Sequence, residues 1–241
     1  MHRYLRLFRR YLVARKLGFN FFGTKRSSLP THVKLGGKTI GINYPPDSGY
    51  ISDIANLWLD DEYGISHLKR PVSTIVDIGG NIGLFSLWAW HHFPDAKILT
   101  FEPNPRVFGY LSKNLSPTNA VPHLVGVAST PGRAVMNDPT DSRMASTSPT
   151  PSGEIELVTL SQIVEKSAGS IDILKMDCEG AEWDIFQDKR AFDSIKVIRM
   201  EYHFDEKHSM EDLLSITKDL GYTMTNHIPN SGFGIAWFEK R

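Results

Sequence analysis

STIVDIGGNIGLF, residues 73–85, reads as three pieces in a row: a short buried strand from Thr74 to Ile78, a turn rich in glycine at Gly79, Gly80 and Gly83, and an apolar helix from about Ile82. Gly79 and Gly80 carry no Cβ and tolerate positive φ, so the backbone there can pass close to a ligand. Asn81 stands where a dinucleotide-binding turn carries another glycine, and Asn is one of the few residues that accept left-handed geometry. A second signal follows in ILTFEP, a strand from Lys97 to Phe101 that ends in Glu102. A carboxylate at the tip of the second strand of a βαβ unit can accept hydrogen bonds from both ribose hydroxyls of an adenosine-bearing ligand. A glycine-rich turn alone is weak. Strand, turn, helix, strand and acid in that order point to a nucleoside site.

The nature of that nucleoside turns on Asp77. A nicotinamide dinucleotide needs a helix N-terminus opposed to its pyrophosphate, and an acid entering the turn would repel it. Asp77 suits a zwitterionic ligand with ammonium donors and a positive sulfonium, which describes S-adenosyl-L-methionine. The other reading is that Asp77 only satisfies backbone N–H groups of its own turn. A third signal lies downstream in IDILKMDCEGAEWDIF: a buried strand from Ile171 to Met176, then Asp177, Glu179 and Glu182, then a helix from about Ala181. Ligands in open α/β sheets sit along the C-terminal strand edge, where this strand delivers its acids. Those acids are either the start of an acidic helix, which its dipole favours, or the rim of a reaction site.

DIGGNIG, FEPNP and KMDCEGAE in this order resemble the FkbM-type family of S-adenosylmethionine-dependent methyltransferases, over roughly Val72 to Phe204. Gly80 replaces the family's usual alanine, a change expected to be harmless in a tight turn. Lys175, Asp177, Glu179, Gly180, Ala181 and Glu182 match its second motif. The resemblance implies a Rossmann-like class I methyltransferase fold in the α/β class. It also implies S-adenosyl-L-methionine as cofactor and methylation of a hydroxyl on a sugar, glycolipid or similar small-molecule acceptor. Glu102 is then assigned to the ribose, with Asn104 supporting the turn, Asp77 to the methionine end, and Gly79, Asn81 and Gly83 to the turn itself. Ala128 supplies a backbone contact to adenine, and Asp177 borders the cofactor as well as the acceptor. An alcohol is a poor nucleophile, so a general base helps. Candidates are Asp177 and Glu179 after one strand, and Glu201 and His203 after the next, in IRMEYHF, where alternation puts both on one face. The family tends to carry acid-x-His here, and imidazole titrates near neutral pH. No metal is assigned, although Asp177, Glu179 and Glu201 are the kind of oxygen ligands that Mg²⁺ takes.

The 241 residues fit one domain with a terminal extension: a basic helix and cap over 1–70, then the cofactor-binding domain over 71–241. Basic and acidic residues balance at 27 each, which makes no case for nucleic acid. The balance hides an asymmetry, since no acid precedes Asp47 while Arg3, Arg6, Arg9, Arg10, Arg15, Lys16, Lys25, Arg26, Lys34 and Lys38 are basic. Cys178 is the single cysteine, read as a buried structural thiol and compatible with a reducing compartment, so the expected location is cytoplasmic. No apolar run approaches the roughly 20 residues of a membrane span, and the arginines interrupt any secretory signal. Tyr4, Leu5, Leu7, Phe8, Tyr11, Leu12 and Leu17 recur at near-helical spacing. This basic amphipathic helix over residues 1–26 packs on the domain, lies on the inner face of a membrane, or pairs with a subunit.

Two short strands from Val33 to Ile42 flank Gly36-Gly37, and Tyr50 to Tyr63 has a helical pattern. The expected sheet is mostly parallel and seven-stranded, with an antiparallel C-terminal edge hairpin. Pro122 to Ala128 reads as one strand. His91 and His92 read as partners of a helix dipole. From Ser129 to Glu156 the pattern dissolves, and a long loop of this kind is a substrate lid or a plain insertion. Two functions compete with methyl transfer: a silent cofactor-binding module acting through its N-terminal helix, and a nicotinamide-dependent oxidoreductase.

Overall fold

The computed structural model describes residues 2–46, 49–137 and 146–241, with the backbone alone for His2, Arg3 and Ser146. Helix α1 (His2–Lys16) leads into a hairpin of β1 (His32–Leu35) and β2 (Lys38–Gly41), paired antiparallel across Gly36-Gly37. Helix α2 (Tyr50–Ile54) then runs into a π-helical turn, Ala55–Leu59. The helix expected through Tyr63 therefore ends early. Asp61 adopts φ 53°, which turns the chain and sends Glu62 and Tyr63 inward.

The core repeats strand and helix: β3 (Thr74–Ile78), α3 (Leu84–His92), β4 (Lys97–Phe101), α4 (Pro105–Leu115) and β5 (Val121–His123). After an excursion come α5 (Leu160–Lys166), β10 (Ile171–Met176), α6 (Glu182–Ile185), β11 (Ile195–His203), α7 (Met210–Asp219), β12 (Tyr222–Pro229) and β13 (Phe233–Lys240). The seven strands line up in the order β12-β13-β11-β10-β3-β4-β5, parallel from β11 to β5, with β13 antiparallel to both β11 and β12. The expected sheet is present. β10 is buried at every position, as the central strand of the sheet must be when helices cover both faces. Helix α4 starts where Asn104 caps it, its side chain accepting from the Arg106 amide at 3.0 Å, with Pro105 in the first turn.

Four expectations need correction. Pro122 to Ala128 is not one strand, because β5 ends at His123 and β6 (Gly126–Ala128) joins a second sheet. The segment from Ser129 to Glu156 is not one long loop. β7 (Gly132–Asn137), β8 (Ser146–Pro149) and β9 (Ile155–Thr159) build that second sheet in the order β6-β9-β7-β8, and residues 138–145 lie outside the described residues. Ala128, Ala134, Ile155 and Leu157 form its small core, too few apolar side chains to stand out in a Ser/Thr/Pro-rich stretch. The helix expected from about Ala181 is a single turn, α6, and a 3₁₀ helix at Lys189–Ser194 follows. His91 and His92 are not charged dipole partners. Burial lowers both, His92 to about 4, so they are neutral at pH 7, and His91 Nδ1 accepts from the Gly36 amide at 2.9 Å.

The N-terminal segment shares one hydrophobic cluster with α3, through Leu35, Ile54, Trp58, Leu87 and Trp88. Trp58 donates to the Leu84 carbonyl at 2.9 Å, and Trp237 of β13 donates to the Glu62 carbonyl at 2.8 Å. These two bonds hold the α2 segment over the C-terminal strand edge. Among the described residues no helix is long and apolar enough to cross a membrane.

Candidate active site

Because β3, β10 and β11 run parallel side by side, Ile78, Asp177, Glu201 and His203 arrive at one edge of the sheet. They border a cavity of about 700 Å³ whose other walls come from β4, β6, the α2 segment and the β12–β13 turn.

The glycine turn is anchored by two amides, of Gly79 and Gly80, which both donate to the Phe101 carbonyl, at 3.0 and 2.9 Å. Gly79 has φ 73°, and a Cβ built on it would lie 1.7 Å from the carbonyl oxygen of Asp177, so no side chain fits. Asn81 adopts φ 47°, the left-handed geometry expected of it. Its amide donates to Glu102 Oε2 at 2.8 Å, and its Oδ1 accepts from the Tyr50 hydroxyl at 3.1 Å. The amide of Asn104 donates to Glu102 Oε1 at 2.9 Å. Burial pushes Glu102 up to about 7, opposed by the two amide bonds. A carboxylate held at both oxygens by backbone is fixed in orientation, and a second lone pair on each oxygen is left for a ligand hydroxyl.

Asp77 is fully buried and does not line the cavity. Ser86 donates to its Oδ2 at 2.7 Å, and Lys175 Nζ stands 3.1 Å from Oδ1. The expected contact with a methionine end is corrected: the carboxylate faces inward, where it fixes Lys175 and α3 beneath the turn. Gly83, Asn104 and Ala128 also stand off the cavity. Gly83 sits against Leu111 and Leu115 at the start of α3, Asn104 caps α4, and Val125, Gly126 and Val127 replace Ala128 as the wall.

On the opposite side of the cavity the four expected reaction residues do meet. His203 Nε2 lies 3.3 Å from Glu201 Oε1 and 3.6 Å from Glu179 Oε2, while Nδ1 lies 3.5 Å from the buried Glu182. Asp177 Oδ2 accepts from the Tyr63 hydroxyl at 3.3 Å and lies 3.6 Å from Lys175 Nζ. Burial works against a charged His203, but Glu182 and Glu201 outweigh it and push the imidazole up to about 11. Burial, then Asp177, pushes Glu179 up to about 7, with His203 opposing. Burial and Asp177 likewise raise Glu201. His203 therefore holds its proton at neutral pH, contrary to the expectation of a neutral imidazole base. Cys178 is no reactive thiol, since burial and Glu182 raise it well above the ordinary range. Among the described residues no group of three or more His, Cys, Asp or Glu is placed to hold a metal ion.

Sequence reasoning missed Lys175, Glu62 and Tyr63 as members of this wall. A lysine inside a wholly buried strand was a visible signal for Lys175. Glu62 and Tyr63 gave none, because only the turn at Asp61 aims them inward. Burial, then Glu201, Asp177 and Asp53, pushes Glu62 up to about 8.

The profile of the methyltransferase FkbM domain matches residues 77–224, more than half of the chain. The chain belongs to the FkbM methyltransferase family. The match starts at Asp77 and takes in the glycine turn, Glu102 and both acidic strand ends. Methyltransferase sdnD of Sordaria araneosa is 46% identical over 66 residues, which are 27% of this chain and 25% of that protein. Methyltransferase 1 of Beauveria bassiana (strain ARSEF 2860) is 37% identical over 59 residues, 24% of this chain and 23% of that protein. Each alignment thus spans about a quarter of the relative's length. Among solved structures, the methyltransferase domain of METTL16 superposes with a TM-score of 0.51 at 13% identity, covering 83% of this chain and 73% of that one. That likeness establishes a class I methyltransferase fold for this FkbM member, in agreement with its strand order. The family assignment also removes the nicotinamide oxidoreductase reading.

Proposed function

We propose that this FkbM-family protein transfers a methyl group from S-adenosyl-L-methionine to a hydroxyl of a sugar, glycolipid or similar small molecule. One observation carries the reading: a rigid carboxylate, Glu102, beside a turn without side chains at Gly79 and Gly80, opens into the same cavity as the Glu179–Glu201–His203 cluster. The chain fits the cofactor. Gly79 and Gly80 bring main chain to the cavity wall, and Glu102 offers oriented acceptors of the kind a ribose needs. Asp177 and the backbone of Gly79 border the same space. When bound, the cofactor supplies a methyl carbon made electrophilic by a sulfonium.

The chain's part is to align the acceptor, exclude water and take a proton. Glu201 is the base. Its carboxyl is raised by burial, so it binds a proton more readily than a solvated acid. The protonated His203, 3.3 Å away, stabilises its ionised form. Glu179 is second in line. Tyr63, Phe85, Phe233 and Ile235 supply the apolar part of the wall.

Calorimetric titration with S-adenosylmethionine, S-adenosylhomocysteine and NAD tests the cofactor. Labelled methyl donor supplied with a cell extract tests transfer, and the labelled product must disappear on Glu201→Gln. Cofactor binding without transfer to any extract would instead support a silent cofactor-binding module.

A further inference from the structure

The face of α1 turned away from the domain carries an apolar stripe that the fold leaves uncovered. Tyr4, Leu5, Phe8 and Leu12 are 79%, 61%, 61% and 45% exposed. Their spacing puts them along one side of the helix. The chain after α1 folds back and extends the stripe: Phe22, itself exposed, packs its ring 5.8 Å from Tyr11. On the opposite side the helix is tied down. Ala14 and Leu17 are buried, Arg6, Arg9 and Arg10 converge on Asp60, and Arg10 donates to Asn56 at 2.9 Å. The stripe's outward direction is therefore set by the docking of the helix.

Charge identifies what covers it. Arg15 and Lys16 close the C-terminal end of the stripe, Lys25 and Arg26 follow Phe22, and all four are exposed. No acid occurs anywhere before Asp47. A second copy would bring like-charged rims together, and lysine is depleted at protein interfaces. Exposed aromatic and leucine side chains ringed by cations match an anionic lipid surface, whose acyl boundary takes the apolar groups while its headgroups pair with the cations.

We infer that α1 and the Phe22–Arg26 segment form a peripheral docking face for anionic membranes. Asn56, held by Arg10, lines the catalytic cavity. Docking thus leaves α1 between the lipid and the α2 wall of that cavity. The inference stands apart from the choice of methyl acceptor and needs no turnover to be tested.

The test is co-sedimentation of the full chain with phosphatidylcholine vesicles, with and without phosphatidylglycerol. Binding is expected only with the anionic lipid and is expected to weaken with salt. Phe8→Ser with Leu12→Ser, and separately Lys16→Glu with Lys25→Glu, are each expected to lower the partition by roughly tenfold or more. These side chains are exposed, so S-adenosylhomocysteine affinity and circular dichroism report that the variants still fold. Absence of wild-type binding to anionic vesicles overturns the inference, and so does equal pelleting of folded variants. Concentration-dependent self-association abolished by Phe8→Ser would assign the face to a second copy and overturn it as well.

Discussion

Lys175 Nζ lies 3.1 Å from Asp77 Oδ1 beneath the glycine turn, with the two side chains 4% and 0% exposed. Burial opposes both charges. The pair holds because Nζ also donates to the Gly79 carbonyl at 2.6 Å and Ser86 donates to the other carboxylate oxygen at 2.7 Å. Removing one member of a buried pair strands the other charge, at a cost of about 3–5 kcal/mol. Lys175→Met is expected to lose that order of stability, measured by urea unfolding. An unchanged midpoint would show that the turn does not lean on the pair.

Gly80 has little room for the alanine usual in its family. A Cβ there would meet Thr100 Cγ2 at 2.2 Å, and Thr100 Oγ1 is tied to Ser86 by a buried hydrogen bond. Glycine therefore fits here, where the family's usual alanine would crowd Thr100. Gly80→Ala is expected to cost about 1–3 kcal/mol as overpacking, and adding Thr100→Ser, which deletes the methyl, is expected to recover part of it. A double-mutant cycle on the unfolding midpoint checks this, and strict additivity would rule out the clash.

Glu102→Gln replaces a carboxylate held by two amides with a group that can accept from only one of them. Loss of a hydrogen bond to a charged group is worth about 1.5–3 kcal/mol, so S-adenosylhomocysteine affinity is expected to fall roughly ten- to hundredfold. The wild-type affinity is expected to rise as pH crosses about 7, where Glu102 ionises. Calorimetry on both proteins reads the two effects, and equal affinities would detach Glu102 from the ribose.

For the reaction itself, Glu201→Gln is expected to slow methyl transfer by about 10²–10⁴-fold while leaving cofactor affinity in place. His203→Gln has a different signature. Losing the imidazolium removes the charge that lowers Glu201 and Glu179, so the acidic limb of the pH–rate profile is expected to move to higher pH. A limb that vanishes with His203 would return the base role to the imidazole.

Stability itself is expected to depend on pH in a direction set by the cavity acids. Glu62, Glu102 and Glu179 are raised from the ordinary 4.5 to about 8, 7 and 7. The folded chain then binds more protons than the unfolded chain between those values, so ΔG of unfolding falls as pH rises. His203, raised to about 11, acts in the same sense over its own range, from the ordinary 6.5 upward. Buried His91 and His92, lowered from the ordinary 6.5, act in the opposite sense below that pH, so urea midpoints are expected to decline from about pH 6.5 to pH 8, and a rise over that interval would contradict the raised acids.

Strands β3, β4 and β10 lie where local patterning put them, because an unbroken apolar run and a Gly-rich turn are encoded by neighbours in the chain. The convergence of Glu102, Asp177, Glu201 and His203 on one edge was also readable, since parallel strands must deliver their ends together. Other features depended on partners far away in sequence. Asp77 turns inward because Lys175 and Ser86 are there to meet it. Glu62 and Tyr63 enter the cavity because Asp61 bends the chain and Trp237 holds the bend. The second sheet rests on a small core of Ala128, Ala134, Ile155 and Leu157 that a polar stretch conceals. His203 keeps its proton because Glu182, Glu179 and Glu201 surround it, and Coulomb energy and desolvation depend on distance and burial rather than on residue order.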